Sequence, residues 1–262
     1  MRLDKAKGFV FDVDGTLVHR AGNEVHVQPG AVDVFERIRG SGRPLALFTN
    51  GSHEAPESFA AGLRAAGLHV EDDELLTPLR SVRAYLPAHA SVFLFATEPA
   101  RDWLEAAGMR LTENDPDAVF VAHADAVDFE RLERATRAII AGAKLLTASY
   151  APAYAGADGP IISRGAMTAA SLAKASSTRP TIVGKPSRAA LKVIAEQTGV
   201  ATLDLVVVGD DVTMDIALGR MGGARTILCT SGISGRVAID DLPVRQRPEA
   251  VISGVAELLG SL

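Results

Sequence analysis

Three short apolar segments lack the polar alternation of a half-exposed strand. They are Gly8–Asp14, Pro44–Asn50 and Leu205–Asp210. Such runs are typical of strands buried on both faces of a parallel sheet. Each run ends in polar side chains, and the carboxyl ends of parallel strands meet at one edge of a sheet, where ligands bind. The pattern therefore predicts one site that is surrounded by Asp12, Asp14, Thr49, Asn50 and Asp210.

Amphipathic segments alternate with these strands and predict helices. The predicted helices are Gly30–Arg39, Ser52–Ala66 and Ser187–Thr198, with Ser52 as the N-terminal cap of the second. A further strand is predicted at Ala224–Thr230. Strands that alternate with helices in this way indicate an α/β fold with a doubly wound parallel sheet.

The middle of the chain contains a second series of strands and helices. Its predicted elements are strands at Ser91–Ala96, Ala118–Ala122 and Lys144–Thr147, and helices at Pro99–Ala107 and Phe129–Ala141. We therefore expect two domains: a core formed by residues 1–85 and 180–262, and an α/β cap inserted into it as residues 86–179.

The composition narrows the class of protein. The 262 residues carry a net charge of −5, with 27 basic against 32 acidic residues, which argues against nucleic-acid binding through a basic face. The single cysteine, Cys229, excludes a disulfide framework and fits a reducing compartment. No apolar run approaches the roughly 18 residues that span a bilayer, and Asp12 interrupts the apolar stretch that a signal peptide would need. We expect a soluble, cytoplasmic protein without nucleic-acid or membrane partners.

Carboxylates are concentrated at two of the predicted strand ends. Asp12 and Asp14 are alternate residues of one strand, so their side chains leave the same side, about 7 Å apart, and repel each other unless a cation lies between them. Asp210, followed by Asp211 and Asp215, adds acids at another strand end. Oxygen ligands without histidine or cysteine suit Mg²⁺ better than zinc.

A lysine and two hydrogen-bonding residues complete this set. Lys185, in Gly184-Lys185-Pro186, offers a positive charge for a phosphoryl oxygen, and Thr49 and Asn50 can donate hydrogen bonds to the same group. A nucleophilic carboxylate, a second carboxylate, Mg²⁺ ligands, a lysine and a hydroxyl are together the groups that phosphoryl transfer through an aspartyl phosphate requires.

The same residues resemble the four ordered motifs of the haloacid dehalogenase superfamily. The motifs are Asp12-x-Asp14-Gly15-Thr16, Leu47-Phe48-Thr49-Asn50, Gly184-Lys185-Pro186, and Gly209-Asp210-Asp211 with Asp215. Within the superfamily the chain resembles subfamily IIA, the NagD-like and 4-nitrophenylphosphatase-like group. The marks of that group are Thr49-Asn50-Gly51, Val183-Gly184-Lys185-Pro186-Ser187 and Thr230-Ser231-Gly232-Ile233-Ser234.

The resemblance implies a phosphatase mechanism with these roles. Asp12 would attack phosphorus, and Asp14 would protonate the leaving oxygen and then deprotonate the hydrolytic water. Thr49, with the backbone at Asn50 and Gly51, would bind the phosphoryl group, and Lys185 would hold both that group and Asp12. The implied Mg²⁺ ligands are Asp12, the carbonyl of Asp14 and Asp210, with Asp215, and in one interpretation Asp211, orienting them.

Motif spacing places the cap. Only 35 positions separate Asp14 from Thr49, whereas 136 separate Thr49 from Lys185, which leaves room for a small domain between the second and third motifs. This position fits the named group and disfavours phosphomutase relatives, whose cap follows the first motif. Two features depart from the family: Met214 stands where a threonine is common, and the cap loop at residues 147–154 lacks the usual Ala-Thr-Asn-Pro-Asp sequence.

Several assignments stay open at this level. Small phosphorylated metabolites are the implied substrates: sugar phosphates, nucleotides, glycerol or glycolate phosphates, or 4-nitrophenyl phosphate. The alternatives are a catalytically silent protein that binds a phosphorylated ligand and a dehalogenase, which would not need Mg²⁺. Asp211 is either a ligand-orienting acid or a helix N-terminal acid. His19, His53 and Arg164 are candidates for lining the cleft, and a homodimer through the cap is suggested by the resemblance alone.

Overall fold

The computed structural model describes residues 3–21, 24–154, 161–234 and 238–262. The helices are α1 (Ala31–Gly40), α2 (Pro56–Ala65), α3 (Pro78–Tyr85), α4 (Glu98–Ala106), α5 (Phe129–Ile140), α6 (Arg164–Ser176), α7 (Arg188–Thr198) and α8 (Ala217–Gly222). The strands are β1 (Gly8–Phe11), β2 (Val18–Ala21), β3 (Glu24–Val27), β4 (Leu45–Phe48), β5 (Leu75–Leu76), β6 (Ser91–Phe95), β7 (Arg110–Leu111), β8 (Ala118–Val121), β9 (Lys144–Thr147), β10 (Ala153–Tyr154), β11 (Ile161–Ile162), β12 (Thr181–Ile182), β13 (Leu205–Gly209), β14 (Arg225–Cys229) and β15 (Ala250–Ile252).

The larger sheet has six parallel strands in the order β15-β14-β13-β1-β4-β5. In β1, Val10 lies opposite Val207 of β13 and Ala46 of β4. One hydrophobic cluster covers one face of this sheet with α1 and α2, and a second covers the other face with α7 and α8. The predicted doubly wound parallel core is confirmed, and its buried apolar strands are the cause, because both faces are covered.

The second sheet consists of five parallel strands in the order β12-β9-β8-β6-β7. Helices α5 and α6 pack against one face of it. This sheet and its helices form the predicted cap, which is inserted between helices α3 and α7 of the core. We propose residues 86–179 as its limits. The short edge strand β12 pairs with β9 of the cap sheet, although it begins two residues after position 179.

Every element predicted above is present in the structure, but one predicted helix start is wrong and several elements were not predicted. The helix predicted from Ser52 begins at Pro56, where Ala55 precedes it without a side-chain cap. Proline fits the first helical turn and pushes the preceding residue out of the helical region, so the prediction of Ser52 as a cap was wrong. The elements that were not predicted are helices α3 and α8, the β2–β3 hairpin and the short strands β5, β7, β10, β11 and β15. No helix within the described ranges is long and apolar enough to cross a membrane.

Candidate active site

A buried ion cluster lies at the carboxyl edge of the core sheet. Lys185 Nζ donates hydrogen bonds to Asp12 Oδ1 at 2.5 Å and to Asp215 Oδ1 at 2.7 Å. The side chains of Lys185, Asp12 and Asp215 are only 3%, 11% and 2% exposed. Asp12 follows β1 and Asp215 follows β13, so the strand ends meet as the sequence predicts. The structure thus joins the first, third and fourth motifs in one group of charges.

Three carboxylates of this cluster lie close enough together to share a cation. Oxygen atoms of Asp12, Asp210 and Asp215 lie within 4.8 Å of one another. Asp12 Oδ2 is buried without a hydrogen-bond partner. When all three carboxylates are ionised, Lys185 compensates only one of three buried negative charges. The donor set and its charge therefore fit a hard divalent cation such as Mg²⁺.

The acidity of these groups reflects their burial and crowding. Burial raises the pKa of Asp12 well above its usual range; Lys185 opposes this effect, and Asp215 and Asp210 add to it. Burial, reinforced by Asp215, raises the pKa of Asp210 to about 7. The pKa of Asp215 is also raised by burial. The Asp12 and Asp215 carboxylates outweigh burial at Lys185 and raise the pKa of its ammonium group, which stays charged.

Asp210 and Asp215 differ in how their oxygens are used. Asp210 Oδ2 accepts a hydrogen bond of 2.6 Å from the backbone N–H of Ile233. Asp215 uses both oxygens, because Oδ1 accepts from Lys185 and Oδ2 accepts from the backbone N–H of Asp211 at 3.0 Å. Gly15 has a φ of +91°, and a Cβ there would lie 2.5 Å from Asp210 Oδ2, so only glycine lets the first motif turn this close to Asp210.

Asp14 points to a different partner from Asp12. Its carboxylate accepts a hydrogen bond from Arg20 Nε at 2.6 Å, and both side chains are 37% exposed. Arg20 lies on β2 and stacks over the Phe59 ring, 4.8 Å from the ring centre. Sequence reasoning missed Arg20, because nothing in the first motif indicates that the following hairpin folds back onto Asp14. His19, its neighbour, is exposed and lies opposite His26 in the hairpin.

The second motif forms a small loop after β4. The Thr49 hydroxyl accepts a hydrogen bond from the Gly51 N–H at 3.0 Å. The Asn50 side chain bridges to the third motif: its amide donates to the Lys185 carbonyl at 3.0 Å, and its oxygen accepts from the Lys185 N–H at 2.7 Å. The structure brings Thr49, Asn50 and Gly51 to the site, and it adds a structural contact for the Asn50 side chain that the sequence did not predict.

The structure shows the contacts of Asp211 and Met214, the two residues of the fourth motif whose roles the sequence left open. Asp211 Oδ1 accepts hydrogen bonds from the backbone N–H groups of Thr213 and Met214, so it caps the helical turn at Val212–Ile216. Of the two interpretations of Asp211, this geometry favours the helix N-terminal acid. The sulfur of Met214 lies 3.2 Å from Asn50 Nδ2. Methionine therefore contacts the residue that holds Lys185, in place of a hydroxyl.

The cap turns the carboxyl ends of its own strands toward this site. Thr97, after β6, donates a hydrogen bond of 2.5 Å to the His53 carbonyl. His123, after β8, lies with its ring 6.0 Å from the His53 ring. Ala148, after β9, accepts a hydrogen bond of 3.1 Å from the Gly184 N–H. The predicted candidate His53 therefore lies at the contact between core and cap, and His123 joins it there, although its sequence position gave no such signal.

The other residues that the sequence singled out have separate surroundings. Arg164, at the start of α6, donates to Asp125 of the cap and is 59% exposed. Within the unusual cap loop at residues 147–154, Tyr150 and Tyr154 are 39% and 43% exposed. Cys229 is buried in β14, as expected for a strand residue.

The chain matches two models of one hydrolase family. Residues 9–110 match the model described as haloacid dehalogenase-like hydrolase, and residues 182–258 match the one described as HAD-hydrolase-like. The chain is 28% identical over 257 residues to ribonucleotide monophosphatase NagD of Escherichia coli K12, covering 96% of this chain and 98% of that protein. It is 24% identical to dihydroxyacetone phosphatase of Corynebacterium glutamicum, covering 95% and 90% of the two chains.

Solved structures agree with this match. The E. coli NagD structure superposes with a TM-score of 0.85 at 26% identity, covering 97% of this chain and 98% of that one. A 4-nitrophenylphosphatase from Thermotoga maritima has the same fold, with a TM-score of 0.88 at 24% identity and 98% coverage of both chains. The family predicted from the four motifs is thus confirmed, and the chain belongs to the haloacid dehalogenase-like hydrolases.

Proposed function

We propose that the protein hydrolyses phosphomonoesters of small metabolites through a phosphorylated Asp12. One observation carries the proposal: Lys185 holds one oxygen of Asp12, while the other oxygen is buried and unpartnered at the strand edge. A carboxylate fixed in this way is oriented for attack on a phosphorus atom. The phosphatase names of the E. coli and C. glutamicum relatives support the same reaction class.

The other residues have distinct tasks in this reaction. Lys185 holds Asp12 and neutralises a phosphoryl oxygen, and Thr49 with the Asn50 and Gly51 backbone binds the remaining oxygens. Asp14 protonates the leaving oxygen and then removes a proton from the water that attacks the phospho-aspartate. Its greater exposure and separate partner Arg20 support this division of labour, because a proton donor must reach the leaving group rather than the buried cluster.

The acidic cluster is proposed as a Mg²⁺ site. Asp12, Asp210 and the backbone carbonyl of Asp14 hold the ion, and Asp215 orients them. Both oxygens of Asp215 already accept hydrogen bonds, which supports its orienting role. When bound, Mg²⁺ supplies positive charge that offsets the buried carboxylates and the phosphoryl oxygens.

The proposal also covers the oligomeric state and the cellular location of the protein. We propose that two copies pair through the cap, where Ile161, Ile162 and Met167 are 46%, 60% and 59% exposed. Sedimentation velocity of the wild type and of Ile162→Glu tests this: a dimer that the substitution dissociates is expected, and a wild-type monomer at micromolar concentration would contradict it. The proposed location is cytoplasmic.

Phosphate release from a panel of phosphomonoesters tests the central activity. The panel contains 4-nitrophenyl phosphate, a hexose phosphate, glycerol 3-phosphate, 2-phosphoglycolate and a nucleoside monophosphate, each with Mg²⁺ and with EDTA. We expect release with Mg²⁺, none with EDTA, and none from Asp12→Asn. Release that is independent of metal, or retained in Asp12→Asn, would contradict the mechanism. No release from any ester would favour the silent binding protein, and halide release from a haloacid would favour the dehalogenase.

A further inference from the structure

A row of ring and guanidinium groups leads from Asp14 to the cap. Arg20 binds Asp14 and lies over the Phe59 ring. The Phe59 ring is 6.0 Å from the His53 ring, which in turn is 6.0 Å from the His123 ring of the cap. Because Asp14 is the proposed donor to the leaving oxygen, the leaving group begins beside Asp14. This row is therefore the surface along which the leaving group extends.

Close backbone packing fixes the His123 loop. A Cβ at Gly165, the second residue of α6, would overlap the carbonyl oxygen of Ala122, so glycine lets the helix start directly against the residue before His123. The neighbouring Arg164 donates to the Asp125 carbonyl at 3.2 Å, which ties the helix to the same loop. The loop is thus positioned by contacts that do not use the imidazole ring of His123.

Both imidazole rings remain accessible to a ligand. The His123 side chain is 27% exposed and the His53 side chain is 49% exposed. Thr97 holds His53 through its backbone carbonyl, so this hydrogen bond does not occupy the imidazole ring. Two accessible hydrogen-bonding rings, one from the core and one from the cap, therefore lie at the far end of the row that begins at Asp14.

An acidic side chain lies beside each of these rings, which argues against an anionic ligand. His53 lies 3.4 Å from Glu54, and His123 lies 3.6 Å from Asp125. Arg164 lies 3.5 Å from the same Asp125. A second phosphate or a carboxylate would approach two acidic side chains here. Imidazole and carboxylate groups instead match hydroxyls, which both donate and accept hydrogen bonds.

The protonation of His123 fits this match. Burial lowers the pKa of His123, and repulsion from His53 lowers it further, although Asp125 opposes both effects. The ring is therefore neutral at pH 7, with one nitrogen as a donor and the other as an acceptor.

We propose that His53 and His123 form a subsite that binds hydroxyl groups of the leaving group, so that the preferred substrates are phosphomonoesters of sugars or polyols. This inference rests on the proposed phosphatase function and narrows its substrate class. His53 and His123 determine specificity and take no part in phosphoryl transfer. Esters with a second anionic group near the phosphate are disfavoured.

Steady-state kinetics of His123→Phe tests the subsite. Phenylalanine preserves the ring contact with His53 and removes the hydrogen bonds. We expect kcat/KM for a hexose phosphate to fall about tenfold, the equivalent of one lost hydrogen bond of about 1.4 kcal/mol. The value for 4-nitrophenyl phosphate, whose leaving group has no hydroxyls to bind, should stay unchanged. His123→Gln should recover part of the loss, and His69→Phe, an exposed position of the core, serves as the matched control.

Two results would overturn the subsite while leaving the phosphatase intact. One is an equal effect of His123→Phe on both substrates, or no effect on either. The other is a wild-type preference for 2-phosphoglycolate over the hexose phosphate and glycerol 3-phosphate. Failure of the wild type to hydrolyse every ester, 4-nitrophenyl phosphate included, would instead overturn the phosphatase function itself.

Discussion

The carboxyl ends of the parallel strands of the core face those of the cap, but the two sets of strand ends carry different kinds of side chain. On the core side, Lys185, Asp12 and Asp215 are buried and bound to one another. At the contact with the cap, His123 and Arg164 are accessible and lie 3.6 Å and 3.5 Å from an exposed Asp125. Buried charges must be paired, so the core edge has few alternatives once its strands are in place. The exposed contact tolerates change and can select the leaving group.

Replacing Lys185 in the buried ion cluster should have the largest effect on stability and activity. Lys185→Met leaves two carboxylates without their cation, and we expect a loss of about 3–5 kcal/mol in the free energy of unfolding. Activity should fall by at least about 10³-fold, because phosphoryl charge stabilisation is lost as well. Urea unfolding and phosphate release measure the two effects.

Lys192→Met is the matched control for this prediction. Lys192 is 55% exposed and lies 3.8 Å from Glu196 on the surface of α7. Removing the Lys192 ammonium group should lower the free energy of unfolding by less than about 1 kcal/mol. Similar losses of unfolding free energy in Lys185→Met and Lys192→Met would contradict the claim that burial makes the Lys185 contacts more important for stability.

The Asn50 side chain offers a second way to disturb the buried edge. Asn50→Ala removes two hydrogen bonds to the Lys185 backbone and lets that residue shift. A displacement of about 1 Å can cost about 10²-fold in rate, so we expect kcat to fall about 10- to 100-fold. The fall should be the same for a hexose phosphate and 4-nitrophenyl phosphate, unlike that in His123→Phe. Asn114→Ala, in an exposed turn of the cap, is the control, and a substrate-dependent loss in Asn50→Ala would contradict the positioning role.

Metal binding should stabilise the protein more at high pH than at low pH. The pKa of Asp210 is raised to about 7 by burial, against about 3.9 in an unfolded chain. In metal-free protein the folded state therefore keeps this proton longer, and stability falls as the pH rises from about 4 to about 7. Bound Mg²⁺ offsets this cost only where the carboxylates are ionised.

Melting temperatures with Mg²⁺ and with EDTA at pH 5 and pH 8 measure this difference. At a Mg²⁺ concentration about 100 times its Kd, the increase at pH 8 should be about 5 °C or more, and clearly smaller at pH 5. Asp210→Asn should abolish the difference. Equal increases at both pH values would argue that the acidic cluster does not hold the ion.

The smallest effect is expected at the exposed cap residue. Arg164→Gln breaks a 3.5 Å ion pair that is open to solvent, so the free energy of unfolding should change by less than about 1 kcal/mol. Thermal unfolding of Arg164→Gln and Lys185→Met under the same conditions compares the stability contributions of the exposed and the buried ion pairs. A loss of several kcal/mol in Arg164→Gln would mean that the cap contact is structural rather than selective.

The sequence predicted the core edge well, for a physical reason. Strands such as Gly8–Phe11 are apolar on both faces and end in acids, so their burial and their shared edge follow from local sequence. The meeting of Asp12 and Asp210 was predicted in this way. Family resemblance added the roles of these residues, which remain proposals.

The contacts that were missed depend on tertiary packing. The approach of Arg20 to Asp14 requires the β2–β3 hairpin to fold back on the first motif, and this hairpin was not predicted. The His53–His123 contact depends on how the cap meets the core, which no local pattern records. The error at Ser52 arose because a capping residue was given more weight than the proline at position 56.

Covalent capture of the phosphoryl group on Asp12 tests the central claim most directly. Wild-type protein is mixed with 4-nitrophenyl phosphate and Mg²⁺, quenched in acid within milliseconds, digested and analysed by mass spectrometry. The account predicts a phosphorylated peptide that contains Asp12, and none from Asp12→Asn or in the presence of EDTA. Phosphate release without that peptide, or with the phosphoryl group on another residue, would contradict it.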